Sequence, residues 1–279
     1  MDDAKRTIHP VMIAKEAVLL WGKNLIPLIA MNAAAAMMQM LLGIGLKASV
    51  TWWSDMRGIT YITNFAAMGL YVVLSICVGS FFALMSINYL RLSRIGKPVL
   101  EDVIKDAVKM LTSFFKTSLL IAAFVAIGSM ISVFILTSGK VLYRVLLKSA
   151  GQGPAIGTLL TTSTVFVVLA IAIAWYTFFF SMAPIISSME AVPAVTSFKF
   201  SRDRIRGNAW RLLSIYVVYI SGYLSLGLGS LAMVAYMTSN RTFLNMVDPL
   251  MAAIFGPLGL VVWYVSYKKL TELKNSANK

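Results

Sequence analysis

The sequence has few of the side chains that build catalytic and metal sites. Of its 279 residues 13% are charged, and it contains one histidine and one cysteine. His9 has no neighbouring cysteine or second histidine, which excludes the usual zinc sites and a catalytic triad in the apolar part of the chain. Cys77 lies in an apolar run, where a buried free thiol is expected and a disulfide framework is excluded. We therefore predict no enzyme, no cofactor and no metal site.

Apolar residues are abundant instead, at 59% of the chain with a mean hydropathy of +0.80. An ionised side chain costs several kcal/mol at the centre of a bilayer, and about 20 residues cross its hydrocarbon layer. Six charge-free stretches are long enough to cross, and they predict an all-α integral membrane protein with one domain, 1–279. The predicted transmembrane helices are residues 24–46, 64–90, 117–138, 157–182, 211–237 and 249–267. Residues Ser149–Thr164, rich in Gly, Ser and Thr, are predicted to be a loop and the start of a helix.

Basic residues are distributed unequally between the two predicted sides of the membrane. The side with both termini carries 19 Lys and Arg, and the opposite side carries 6, including three between Lys140 and Lys148. Because cytoplasmic loops are enriched in Lys and Arg, we predict that both termini are cytoplasmic. The net charge of +14 is interleaved with apolar runs, so anionic lipids are expected as partners and nucleic acid is not.

The loop after the second predicted span has the pattern of an amphipathic helix, with apolar residues every three or four positions and charges on the other face. Its predicted interfacial residues are Leu100, Val103, Ile104, Val108, Leu111 and Phe115. This helix either lies in the membrane interface or packs on the cytoplasmic ends of the other helices.

Comparable segments, Val11–Asn24 and Pro193–Arg211, precede the first and fifth spans. Residues 14–18 resemble residues 104–108, and residues 22–24 resemble residues 206–208. These similarities suggest three two-helix repeats, each preceded by an amphipathic segment. Chance is the alternative, because periodic apolar sequences match one another easily.

The segment before the fifth span concentrates positive charge. Its basic residues are Lys199, Arg202, Arg204, Arg206 and Arg211, and only Asp203 opposes them. We predict that these five residues contact anionic lipid headgroups. The alternative is that they only set the topology during insertion.

Two motifs carry a family resemblance. Met182-Ala183-Pro184-Ile185-Ile186 is followed by Glu190 and by Arg206-Gly207-Asn208-Ala209-Trp210-Arg211-Leu212, and Gly96-Lys97-Pro98 follows the second span. This layout resembles the YciC-like six-span bacterial inner-membrane proteins and the membrane domain of some glycerophosphodiester phosphodiesterases. The phosphodiesterase catalytic domain is missing from this sequence, so the resemblance implies no hydrolysis and no catalytic residues.

From these features we expect a non-enzymatic protein of the bacterial inner membrane that acts as a scaffold, a lipid-associated factor or an accessory subunit of an envelope complex. Its expected partners are membrane lipids, preferably anionic, and a membrane protein. The alternative is a transporter or channel for a neutral or lipid-like solute. No Asp, Glu, Lys, Arg or His lies inside a predicted span, which excludes the usual machinery of ion-coupled transport.

Overall fold

The computed structural model describes the backbone of residues 8–57, 60–149, 152–237 and 241–277, and the side chains of residues 8–46, 66–149, 156–222, 225 and 254–275. Within these ranges the chain forms nine helices. They are α1 Pro10–Lys23, α2 Leu25–Arg57, α3 Thr60–Ser93, α4 Leu100–Ser149, α5 Gln152–Phe180, α6 Ala183–Met189, α7 Ala194–Ile205, α8 Ala209–Met237 and α9 Arg241–Ala277. The predicted all-α fold class is confirmed.

Four regions are long and apolar enough to cross a membrane, judged by length and composition among the described residues. They are Leu25–Leu46, Ala66–Ser93, Leu100–Ser149 and Ile156–Met189. A shorter apolar helical region, Ala209–Gly222, begins α8. The middle portions of the long helices expose large apolar side chains such as Met130, Phe134 and Val168, an arrangement that suits contact with lipid.

The long helices α2, α3, α4 and α5 pack on one another in chain order, α8 packs with α9, and α2 also contacts α9. The short helices α1, α6 and α7 pack at one end of the bundle, where α3, α5 and α9 end and α2, α4 and α8 begin. We call this region the short-helix end. Much of the buried core lies there, and its largest fully buried apolar side chains include Ile13, Leu28, Leu84, Ile87, Leu90, Val103, Ile186, Ile205, Leu212, Val261 and Val265.

Two tight turns connect a short helix to a long one. Between α1 and α2, the Asn24 carbonyl accepts from Leu28 N at 3.1 Å, and Asn24 Nδ2 donates to the Leu20 carbonyl at 2.8 Å. Between α7 and α8, the Asn208 carbonyl accepts from Leu212 N at 2.9 Å. Gly207 there has φ +98°, a left-handed conformation that glycine adopts most readily. The segment predicted over Pro193–Arg211 is therefore two helices and not one.

Three predicted loops are wrong. Residues between Lys140 and Lys148 lie within the 50 residues of α4, and residues from Gln152 onward already belong to α5. Pro154 stands in the first turn of α5, where its missing N–H disrupts no helical hydrogen bond. The predicted outer loop between Lys47 and Arg57 lies in the helical backbone of α2, and the side chains of Lys47, Arg57 and Arg241 lie outside the described residues.

Candidate lipid-facing site

Helix α7 lies across the end of α5 with one face turned inward. Ser201 Oγ donates to the Phe179 carbonyl at 2.6 Å, and the Phe198 and Phe180 rings meet edge to face at 5.2 Å. Ser197, Ser201 and Ile205, four residues apart from one another, are buried. Since residues four apart share a helix face, the opposite face of α7 points outward.

Three of the five predicted lipid-contact residues lie on the outward side of this segment. Lys199, Arg202 and Arg206 are exposed, and we call these three residues the basic face. Arg202 Nε lies 3.5 Å from Asp203 Oδ1, in a pair whose Arg side chain is 57% exposed. Lys199 and Arg206 form no ion pair with any described residue, so their charges are available to an anion from outside the protein.

Arg204 points inward and has a different environment. Its side chain is 6% exposed, its Nη1 lies 2.5 Å from Glu190 Oε1, and its Nη2 donates to Glu190 Oε2 at 2.9 Å. Tyr267 donates its hydroxyl to Glu190 Oε1 at 2.9 Å, and its ring lies 5.4 Å from the guanidinium carbon. The ion pair joins α7 to the turn before it, and the Tyr267 hydroxyl joins that turn to α9.

Arg211 binds the start of the described chain. Its Nη1 donates to the Ile8 carbonyl at 3.1 Å, and Ile8 N donates to Asn208 Oδ1 at 3.1 Å. These two hydrogen bonds attach the segment before α1 to the beginning of α8. Arg211 itself remains exposed, so its predicted lipid contact stays a prediction.

Ion pairs also fasten other helices at the short-helix end. Arg94 Nη2 donates to Glu16 Oε1 at 2.8 Å, and Lys269 Nζ lies 3.4 Å from the second oxygen of Glu16, so α1 is tied to the chain after α3 and to α9. Arg91 and Asp106 join α3 to α4 at 2.5 Å. Internal pairs thus occupy these cations and leave the basic face as an outward charge cluster.

The start of α4 has apolar residues on two sides. Val103 and Ala107 are fully buried against the bundle, and Leu111 is partly buried. Leu100, Ile104 and Val108, four residues apart, are exposed. Phe115 is partly buried. The predicted amphipathic helix therefore packs on the bundle through one side and presents a second apolar strip outward.

Helix α6 was not predicted, although it is the most completely buried short element. Its residues from Ala183 to Ser188 are all buried. Thr117 Oγ1 of α4 donates to Ser187 Oγ at 3.0 Å, and Ser113 Oγ donates to the Ser187 carbonyl at 3.1 Å. The only sequence signal for α6 was Pro184 within the motif before the fifth span, because proline is favoured in the first turn of a helix.

A cavity of about 870 Å³ opens between α4, α5, α8 and α9. Its lining is mostly apolar and aromatic, and includes Val133, Phe166, Ile173, Phe178, Ile220 and Trp263. Ser132 and Thr177 also line it, but their hydroxyls donate to carbonyls of their own helices at 2.8 and 2.7 Å. The cavity therefore suits an apolar occupant better than a polar one.

Tryptophans cluster beside this cavity at the short-helix end. The Trp175 and Trp210 rings lie 5.4 Å apart, and Trp210 is 73% exposed. Deeper in, Trp263 contacts Tyr216 with ring centroids 4.2 Å apart. Trp175, Trp210 and Trp263 lie near the ends of predicted transmembrane helices, which predicts that they are interfacial anchors. An exposed indole next to cationic side chains is typical of a membrane interface.

The described residues hold no cluster of three or more His, Cys, Asp or Glu side chains that could bind a metal ion. His9 lines a separate cavity of about 360 Å³ together with Lys269 and Glu272. Comparison with known proteins found no matching family model, no similar curated protein and no similar solved structure.

Proposed function

We propose that this chain is a lipid-associated protein of the bacterial inner membrane that crosses the bilayer six times, with both termini in the cytoplasm. It acts without catalysis, as a scaffold or an accessory subunit of an envelope complex. Its kinship with the YciC-like proteins is part of the proposal and rests on the sequence motifs alone. The observation that carries the proposal is the basic face of α7, which lies at the same end as the exposed apolar strip of α4.

The energetics favour anionic lipid as the occupant of the basic face. Each Lys or Arg at the cytoplasmic leaflet contributes roughly 1 kcal/mol of attraction to anionic lipid, so Lys199, Arg202 and Arg206 together contribute roughly 3 kcal/mol. The exposed Trp210 indole and the exposed strip of α4 add apolar anchorage at the same end of the bundle. In this proposal one surface sets how deeply the protein sits in the membrane, which way it is oriented and which lipid headgroups it prefers.

The packing also supports the proposal of three repeats. Helix α1 packs on α9, the start of α4 packs on α3, and α7 packs on α5, so each amphipathic segment contacts the second long helix of another unit. Each segment also buries two residues four positions apart. The pairs are Ile13 with Ala17, Val103 with Ala107, and Ser197 with Ser201. Glu16 and Asp106, which match in the sequence comparison, both pair with a cation of that neighbouring helix.

The test is to replace Lys199, Arg202 and Arg206 together with Gln and to measure the phosphatidylglycerol and cardiolipin that co-purify per protein. A matched variant replaces Lys140, Arg144 and Lys148, three exposed charges at the far end of α4. We expect anionic lipid per protein to fall by tenfold or more in the first variant, because the loss of roughly 3 kcal/mol of attraction corresponds to more than a hundredfold in affinity, and to stay unchanged in the second. If both variants carry the same amount of anionic lipid and keep the same topology, the basic face acts only during membrane insertion.

A second candidate function is transport of a lipid-like solute, and the cavity between α4, α5, α8 and α9 favours it. Its apolar lining argues against a neutral but strongly polar solute, because the described lining offers few free hydrogen-bonding groups. Proteoliposomes carrying a fluorescent phospholipid analogue would separate the two functions. Protein-dependent movement of the analogue between leaflets, absent from empty liposomes, would establish transport, and its absence would favour the scaffold.

A further inference from the structure

We infer that the cavity between α4, α5, α8 and α9 binds one acyl chain of an anionic glycerophospholipid whose headgroup lies at the basic face of α7. This inference rests on the proposed function and extends it from general lipid association to a defined site for a single lipid. It joins two features that the sequence did not connect, an apolar cavity and a cluster of exposed cations.

The cavity is long enough to hold one lipid chain. Along α5 its lining runs from Phe166 to Ser181, and 15 steps of 1.5 Å correspond to about 22 Å. One leaflet of a bilayer has about half of the roughly 30 Å hydrocarbon thickness. A chain that enters near Ser181 therefore reaches the membrane midplane before it reaches the far limit of the lining.

The chemistry of the lining selects a hydrocarbon occupant. An unfilled gap of this size would leave Ile173, Phe178 and Trp263 without contacts on one side, and an acyl chain supplies those dispersion contacts. Burial of a charged or strongly polar group there would be unfavourable, because the Ser132 and Thr177 hydroxyls already donate to their own helices. Since a bilayer solvates any acyl chain well, the chain alone gives little selectivity between lipids.

Selectivity comes from charge at the Ser181 end of the cavity. Helix α7 is held directly over this end, because Ser201 Oγ is bonded to the Phe179 carbonyl two residues before Ser181. The basic face is carried by the same helix and the residue after it, and the exposed Trp210 lies beside it. We therefore place the phosphate on the outward side of α7, where Lys199, Arg202 and Arg206 are exposed and where Lys199 and Arg206 have no acidic partner among the described residues.

The first experiment fills the cavity. Ala170 and Ala174 line it on α5, and replacing both with Phe adds two rings to its space. Ala123→Phe is the matched control, because Ala123 is exposed on α4 and does not line the cavity. Each delipidated protein is titrated with dioleoyl phosphatidylglycerol, and with dioleoyl phosphatidylcholine in a parallel arm, and bound lipid is counted by native mass spectrometry.

We expect wild-type protein and Ala123→Phe each to bind one phosphatidylglycerol tightly in the titration, and we expect the double Phe variant not to bind it. Replacing Lys199, Arg202 and Arg206 with Gln should keep one bound lipid but remove the preference for phosphatidylglycerol over phosphatidylcholine. If the double Phe variant retains the lipid, the cavity site is wrong and the proposed lipid association still stands. If the Gln variant keeps its preference, the role of the basic face is wrong and so is the headgroup assignment.

A second experiment needs no substitution and so does not depend on a variant that folds. One equivalent of phosphatidylglycerol with a diazirine in its acyl chain is photolysed with the wild-type protein in detergent, and the labelled residues are mapped by mass spectrometry. Adducts should concentrate on lining residues such as Ile173 and Phe178 and be several-fold rarer on the outward residues Phe134 and Val168. An even distribution over both sets would overturn the inference.

Discussion

Replacing Arg204 with Gln tests whether the ion pair with Glu190 fixes α7 to the bundle. The Arg204 side chain is 6% exposed and the Glu190 side chain 25% exposed, so the substitution leaves a mostly buried carboxylate without its cation. Removal of one partner of a fully buried pair costs about 3 to 5 kcal/mol. Because water reaches a quarter of Glu190 and Tyr267 still donates to it, we expect a smaller loss, about 2 to 3 kcal/mol.

The matched control is Arg202→Gln, two residues away on the same helix but on its exposed side. Its partner Asp203 is 49% exposed and 3.5 Å distant, which predicts a loss of about 0.5 kcal/mol or less. Both variants are unfolded reversibly in detergent with increasing mole fraction of dodecyl sulfate, and helicity is followed by circular dichroism. If Arg204→Gln is destabilised no more than Arg202→Gln, the assigned structural role of the Glu190 pair is incorrect.

Three further substitutions test the packing, each by the same unfolding measurement. Gly207→Ala should cost about 1 kcal/mol, because φ +98° strains any residue with a Cβ. The control Gly22→Ala has open space around it inside α1 and should be neutral or stabilising. Equal effects of the two substitutions would contradict the assigned turn. Gly139→Ala should loosen α4 from α5, because its Cβ would lie 2.5 to 2.6 Å from the Thr162 side chain, Thr162 Cβ included. Thr162→Gly removes that side chain entirely and should restore part of the loss; no rescue would place the cost elsewhere. If the three repeats are real, enlarging the equivalent buried small residue to Leu should cost about 1 to 3 kcal/mol in each unit, and a negligible effect at one of them would break the equivalence. Those residues are Ala17, Ala107 and Ser201.

The helices and their amphipathic segments were predictable because they depend on local periodicity. Helix α1, predicted from Val11 to Asn24, runs from Pro10 to Lys23. The loop predicted from Ser149 was wrong because polar side chains do not always end a helix. Thr161 and Thr162 return their hydroxyls to the carbonyls of Gly157 and Thr158 within α5, which satisfies them without leaving the helix.

The site was only partly predictable, because orientation and distance between helices are not local properties. Five basic residues mark the segment, but only its helical phase separates the outward Arg202 from the inward Arg204. That phase was obscured because the buried side of α7 carries the small polar residues Ser197 and Ser201, which do not read as an apolar stripe. The cavity depends on the gap between α4 and α5 on one side and α8 and α9 on the other, which no single helix encodes.

The membrane orientation is the claim on which lipid association depends, and reporter fusions measure it most directly. A fluorescent protein that folds only in the cytoplasm, and alkaline phosphatase that is active only outside it, are fused in turn after Lys279 and after Lys148. We predict cytoplasmic fluorescence without phosphatase activity at Lys279, and the reverse at Lys148, because 19 of the 25 Lys and Arg lie on the side of the termini. Phosphatase activity at Lys279 would place the basic face outside the cytoplasmic leaflet and contradict the account.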